Sequence, residues 1–421
     1  MLIPQLVEVT VEQGILRGER VPAPDNGVPY DAFRGIPYAQ KPVGPLRFKA
    51  PRPPEPWEGV RLALEEGPVA SQLSGGALAG SEDCLYLNVF TPQVPSSKTS
   101  HDHRVGAPWP IMFWLHPGGF STGSGSPKVN GPELLVAKNV VVVTINYRLG
   151  AFGFLSLESP AATGNYGLKD MLAALRWVNK NGGAFGGNVD QITLFGSSSG
   201  AAAIQYFQLS PAAKGLFHRG ISVSGSCLNP ANVTLNPRER VLRLARLLGA
   251  NEEVFRDDQE LLRFLRDQPA EAIVEASVAI AIPEDLTFGT KFMFQPTSEK
   301  GLKPDDPEDD IIVPGWPREL MKQGRVSRVP LIIGVMEEEM LFVDLSTWTE
   351  YLKGSPEVLA KFDEHLEQII PPDLRPAYPD GSKKLKDALQ RIRNFYFNGG
   401  SVCEATKYDY YKVRSSHVGT L

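Results

Sequence analysis

Short apolar runs, each bounded by turn residues and separated from the next by a helical stretch, constrain this chain more than any other feature. Pro110–Leu115 (PIMFWL), Val140–Asn146 (VVVVTIN), Gln191–Phe195 (QITLF), Gly220–Ser224 (GISVS) and Pro330–Val335 (PLIIGV) have the length and β-branched or aromatic content of buried parallel strands. Between them, Leu168–Asn179 (LKDMLAALRWVN) places Leu168, Met171, Leu172, Leu175 and Trp177/Val178 on one broad helical face. Ala201–Phe207 reads as a further helix, and 237–287 as amphipathic helix, with leucines at three- and four-residue spacings in Arg238–Leu248 and Asp258–Arg266. Such alternation predicts an α/β fold: a mostly parallel central sheet with helices on both faces. Residues 26–57 are rich in Pro and Gly and read as loop, 91–109 as an exposed connection, and 301–310 (GLKPDDPEDD) as an acidic surface loop. No repeat and no clean linker interrupts the pattern, so residues 1–421 are expected to form a single domain.

Composition narrows the function classes. Hydrophobic residues make up 42% and charged residues 22% of the chain, which excludes a disordered chain and supplies a large core. The net charge of −5 gives a polyanion nothing to bind, so nucleic acid is not an expected partner. No run reaches the ~18 apolar residues of a membrane span, and the first twenty residues read as a strand and turn, not a signal peptide. Three cysteines (Cys84, Cys227, Cys403) argue against a disulfide framework. Together these predict a cytoplasmic protein, although one sequon, Asn232-Val-Thr234, points the other way. No metal-ligand cluster and no phosphate-binding loop is visible, so neither metal nor cofactor is expected; the oligomeric state is open.

Gly196-Ser197-Ser198-Ser199-Gly200 matches G-x-S-x-G. A nucleophilic serine of this kind sits on a sharp strand-to-helix turn, with glycines two positions either side leaving room for strand and helix to approach. QITLF precedes Ser198 and GAAAIQYF follows, which is that context. A second match, Gly119-Phe120-Ser121-Thr122-Gly123, lies in a Gly-rich loop with no helix after it and is set aside. His116-Pro117-Gly118-Gly119-Phe120 follows the strand 110–115 and is similar to the H-G-G-G loop of an oxyanion hole. Pro117 has no N–H to give. Gly118 and Gly119 do, and preorganised donors of this kind are worth about 3–4 kcal/mol each toward a developing oxyanion.

Several further stretches fall in one order along the chain. Phe33-Arg-Gly-Ile-Pro-Tyr-Ala39 is followed by Pro42-Val-Gly-Pro-Leu-Arg-Phe48, then Ser81-Glu-Asp-Cys-Leu-Tyr-Leu-Asn-Val89, Asn146-Tyr-Arg-Leu-Gly150 and Gly164-Asn-Tyr-Gly-Leu-Lys-Asp170. Trp177-Val178, Phe185-Gly-Gly187, the Ser198 turn, Gly215-Leu-Phe-His-Arg219 and Ser224-Gly-Ser226 complete the run. Together they resemble the type-B carboxylesterase and cholinesterase family of α/β-hydrolases, over roughly residues 7–415 and most specifically from 33 to 226. The resemblance implies that Ser198 is the nucleophile and that the N–H groups of Gly118, Gly119 and Ser199 form the oxyanion hole. It places the acid just after a strand like Val329–Val335, at Glu339 of Glu337-Glu338-Glu339. It also implies structural ion pairs of Arg47 with Glu82 and of Arg148 with Asp170.

The chain departs from the family pattern in three places. Cys84 resembles a cysteine that relatives bridge to an upstream partner; no cysteine precedes it, and Ala70 stands where the partner would fall. The turn reads Ser-Ser-Ser where relatives more often have Glu-Ser-Ala. The third concerns the general base, a histidine that should follow the acid. Of six histidines (101, 103, 116, 218, 365 and 417), only His365 and His417 follow Glu339. His365 sits in an apparent helix, and His417 lacks the family's surroundings. The expectation is therefore a C-terminally truncated serine carboxylesterase acting on a small carboxylic ester through an acyl-enzyme, much slowed by want of its base. The alternative is a catalytically inactive, cholinesterase-like binding protein.

Overall fold

The computed structural model describes residues 5–22, 27–95, 108–129, 131–281, 293–307, 309–336, 355–370 and 374–406. Its main sheet has ten strands, in the order β1 (Leu6–Val11), β2 (Gly14–Val21), β3 (Tyr30–Pro37), β7 (Tyr86–Thr91), β9 (Val141–Ile145), β8 (Trp109–Leu115), β10 (Gly187–Ser197), β11 (Arg219–Val223) and β12 (Leu331–Gly334), with β4 (Val60–Leu62) beside β2. β5 (Gln72–Ser74) and β6 (Ala77–Ala79) form a separate hairpin. From β9 through β8, β10 and β11 to β12 every pairing is parallel. The amino-terminal strands extend this core antiparallel, as hairpin-connected strands can. All five residues of β9 (VVVTI) are buried, as befits a strand covered on both faces. The fold is that of an α/β-hydrolase.

Helices α1 (Glu133–Val136) and α2 (Gly150–Phe154) are short; α3 (Tyr166–Asn181) and α4 (Ser199–Leu209) flank β10 in the chain. α3 buries Leu168, Met171, Leu172, Leu175, Trp177 and Val178, the face its spacing predicts. α5 (Pro237–Leu247), α6 (Asp258–Arg266) and α7 (Ala270–Ala279) account for the amphipathic middle region. α6 is capped by Asp257, whose carboxylate accepts from the N–H groups of Gln259 and Glu260.

Two local expectations change. The Pro/Gly-rich stretch 26–57 contains β3, a paired strand made possible by a bulge: the register shifts between Phe33 and Ile36, where Gly35 takes φ 67°. Pairing with β2 and β7 on both sides overrides the local turn signals. β12 is a strand, but not a buried one. Among the described residues it pairs only with β11, at the end of the strand order, and Ile332 is 66% exposed. An apolar composition reports strand preference; coverage depends on what packs above. The acidic segment 301–310 is a surface loop as expected, tied down by ion pairs. Asp306 pairs with Arg52, Asp310 with Arg176, and Asp309 with the buried Lys169, which also lies 3.1 Å from Glu299.

Both implied ion pairs form. Arg47 is bidentate to Glu82 and also donates to three carbonyls ending α6 and beyond, of Leu265, Arg266 and Gln268. Arg148 is bidentate to Asp170 at 2.8 and 2.6 Å, both side chains being buried. Cys84 is a free, buried thiol lining the same small cavity as Ala70. The sequon is folded inward: Asn232 is buried and its Nδ2 donates to the Ser226 carbonyl at 3.0 Å.

Candidate functional site

The turn at Ser198 follows from its neighbours. β10 runs to Ser197, and α4 begins at Ser199. Ser198 takes φ 53° and ψ −120°, a conformation an L-residue adopts only when its surroundings impose it. Its N–H donates to Val223 of the adjacent β11 at 2.9 Å. A Cβ at Gly196 would lie 2.7 Å from the Gly200 carbonyl carbon; one at Gly200 would overlap the Leu115 carbonyl oxygen and stand 3.1 Å from that of His116. Both glycines are therefore dictated by the close approach of β8, β10 and α4. Ser198 is half-buried, whereas the Ser199 side chain is fully buried beneath it. As the first residue of α4, Ser199 presents a backbone N–H with no partner inside the helix, at the positive end of the helix dipole.

The loop after β8 leaves the sheet at the same edge, since Leu115 is paired with Gly196 across the parallel ladder. Its carbonyls are held one by one. His116 Nδ1–H donates to the Pro117 carbonyl at 2.8 Å, and the N–H groups of Ser121 and Thr122 both donate to Gly118 at 3.0 Å. In a trans peptide the C=O and the following N–H point in opposite directions. Fixing the carbonyls of Pro117 and Gly118 therefore aims the N–H groups of Gly118 and Gly119 the other way. Among the described residues neither N–H has a partner. Gly118, at φ 126° and with a Cβ position filled by Thr122, admits only glycine. The second G-x-S-x-G match belongs to this loop, and its Ser121 spends its N–H on the Gly118 carbonyl.

His116 is a structural histidine. It is fully buried and stacks on Tyr147 at 4.2 Å, while the Tyr147 hydroxyl donates to the His116 carbonyl at 3.1 Å. Burial lowers its pKa from 6.5 to about 4, partly opposed by the bond to Pro117, so the ring is neutral and its proton sits on Nδ1. Sequence reasoning missed Gln72, whose carboxamide accepts from Gly123 N–H at 2.8 Å and donates to the Gly123 carbonyl at 3.0 Å, closing the far end of the loop. A lone glutamine in a short hairpin carries no signal of that role. Tyr147 lay within the quoted Asn146–Gly150 stretch, but its contact with His116 is tertiary.

Glu339 and His417 lie outside the described residues. His365 ends a helix over 356–364, is 43% exposed at its side chain, and stands 3.7 Å from Glu367. A separate cavity of about 630 Å³, lined by Trp177, Tyr38 and a row of prolines, includes neither Ser198 nor the Gly118–Gly119 loop.

Residues 5–416 match the model of the Carboxylesterase family. The chain is 37% identical over 399 residues to a juvenile hormone esterase of Heliothis virescens, covering 92% of this chain and 66% of that protein. It is 34% identical over 379 residues to venom carboxylesterase-6 of Apis mellifera, covering 89% and 63%. The crystal structure of juvenile hormone esterase from Manduca sexta, with OTFP covalently attached, superposes with a TM-score of 0.79 at 32% identity, covering 98% of this chain and 73% of that one. The chain thus spans just under two thirds of the length of these curated relatives. The cytoplasmic placement does not stand, since a relative of this similarity is a venom enzyme. Its basis was weak in physical terms too: Cys84 and Cys227 are buried thiols, inert in either compartment. The chain belongs to the carboxylesterase family.

Proposed function

We propose, from this membership and the geometry at the strand tips, that the chain is a serine carboxylesterase with Ser198 as nucleophile. In this scheme Ser198 Oγ attacks the carbonyl carbon of a small carboxylic ester. The carbonyl oxygen becomes an oxyanion, received by the N–H groups of Gly118, Gly119 and Ser199. Collapse expels the alcohol, which takes up a proton, and leaves an acyl-enzyme; water then releases the acid and restores the hydroxyl. The observation that carries this reading is the strained backbone of Ser198, at φ 53° and ψ −120°. Such strain costs about 1–3 kcal/mol and is characteristic of functional sites. The covalent attachment of OTFP in the Manduca sexta enzyme supports the same class of chemistry. One hydrophobic cluster running from Val9 to Leu320 supports a single domain over that span.

Glu339 remains the candidate acid by its place after β12. For the base, His365 is half-exposed and near Glu367, which does not suit it to the role. We expect ester hydrolysis to run through Ser198. The test is hydrolysis of p-nitrophenyl acetate by this chain and by Ser198→Ala. A reaction absent from S198A is expected; equal rates in both proteins refute Ser198.

A further inference from the structure

We propose, on the esterase reading above, that Gln295 is a positioning residue for the oxyanion loop: its carboxamide clamps the Gly119 carbonyl, fixing the Gly119–Phe120 peptide and with it the loop that carries the Gly118 and Gly119 N–H groups. Gln295 is buried, and its Nε2 donates to the Gly119 carbonyl at 2.7 Å and to the Phe294 carbonyl at 3.1 Å. Two carbonyls facing one end of the amide settle which end is nitrogen, since the reverse would set oxygen against oxygen. Gln295 Oε1, in contrast, is buried with no hydrogen-bond partner among the described residues. The bond to Gly119 is the shorter of the two that the amide nitrogen makes.

The clamp has a firm base. Gln295 N–H donates to Thr234 Oγ1 at 3.0 Å, and Thr234 N–H to the Pro296 carbonyl at 2.8 Å. Two residues on, Thr297 exchanges two bonds of 2.9 Å with the Asn165 side chain at the start of α3. The loop itself needs such help. Gly118 and Gly119 sit at φ 126° and 59°, with no side chains to hinder rotation of the peptides between and after them. The Gly118 carbonyl is held from within the loop, by Ser121 and Thr122. The Gly119 carbonyl is held from outside it, by a residue 176 positions away. Released, the Gly119–Phe120 peptide can turn over, and the backbone that carries the Gly118 and Gly119 N–H groups is free to shift. A misplacement of about 1 Å at such a group costs on the order of 100-fold in rate.

The test is phosphonylation of the 421-residue chain by a fluorophosphonate in imidazole buffer, resolved into reversible affinity and the first-order bond-forming step. In that step the Ser198 Oγ–P bond forms, the P–F bond breaks, fluoride leaves and imidazole takes the hydroxyl proton. Gln295→Met keeps the length of the side chain and removes the donor. It is expected to slow the bond-forming step 10- to 100-fold while changing reversible affinity less than about twofold. Gln295→Asn keeps the amide one methylene short and is expected to fall between the two, which also serves if Q295M does not fold. A labelled wild type with unchanged rate in a folded variant overturns the clamp alone. A cooperatively folded wild type that takes no label at Ser198 overturns the esterase reading and the clamp with it.

Discussion

Replacing His116 with asparagine should flatten the acid limb of the chain's stability curve. His116 takes up a proton near 6.5 when unfolded, but burial holds it to about 4 in the native state. Between those values the unfolded chain binds more protons than the folded one, so stability falls as the pH falls through this window, and is flat on either side of it. The gap, at about 1.4 kcal/mol per pH unit, comes to about 3 kcal/mol lost by pH 4. The other titrating groups contribute their own slopes, so the His116→Asn variant is the control: a carboxamide does not titrate, and its Nδ2 can stand where Nδ1–H of the imidazole meets the Pro117 carbonyl. Urea unfolding of both proteins at several pH values between 7.5 and 4 reads the difference. H116N is expected to be less stable at neutral pH, through loss of the stack on Tyr147, and to close that gap by about 3 kcal/mol at pH 4. Parallel curves across the window would show that His116 is not held neutral, and the orientation assigned to the Pro117–Gly118 peptide would go with it.

Two further substitutions probe the frame. Gly200→Ala drives a methyl into the Leu115 carbonyl, so α4 must move off β8; about 1–3 kcal/mol of stability and most of the Ser198 reactivity should be lost, and an unchanged labelling rate would count against the close-approach argument. Asp170→Asn strands the buried Arg148 guanidinium and should cost about 3–5 kcal/mol in chemical denaturation; a cost under about 1 kcal/mol would mean that the pair is solvated.

Legibility in the sequence followed what is local. β9 and α3 could be read directly, because a strand covered on both faces and an amphipathic helix write their burial into their own composition. Ser198 could be read because its strain needs glycines within two residues on either side. β3 could not: a bulge at Gly35 and pairing on both sides make a strand of a stretch whose prolines and glycines spell turn. β12 was legible as a strand and misleading as to coverage, since apolar residues do not say whether anything packs over them. Gln72 and Gln295 were silent because one carboxamide holding a distant carbonyl leaves no periodicity and no motif. The resemblance, by contrast, delivered Arg47–Glu82 and Arg148–Asp170 across gaps of 35 and 22 residues, which local reasoning could not.

The most direct measurement is the site of covalent capture. Treated with a fluorophosphonate and digested, the folded 421-residue chain should carry the mass increment on the peptide containing Ser198 alone, and S198A should carry none. A label on Ser121, or no label on a protein that unfolds cooperatively, would contradict the assignment of the nucleophile and the oxyanion loop together.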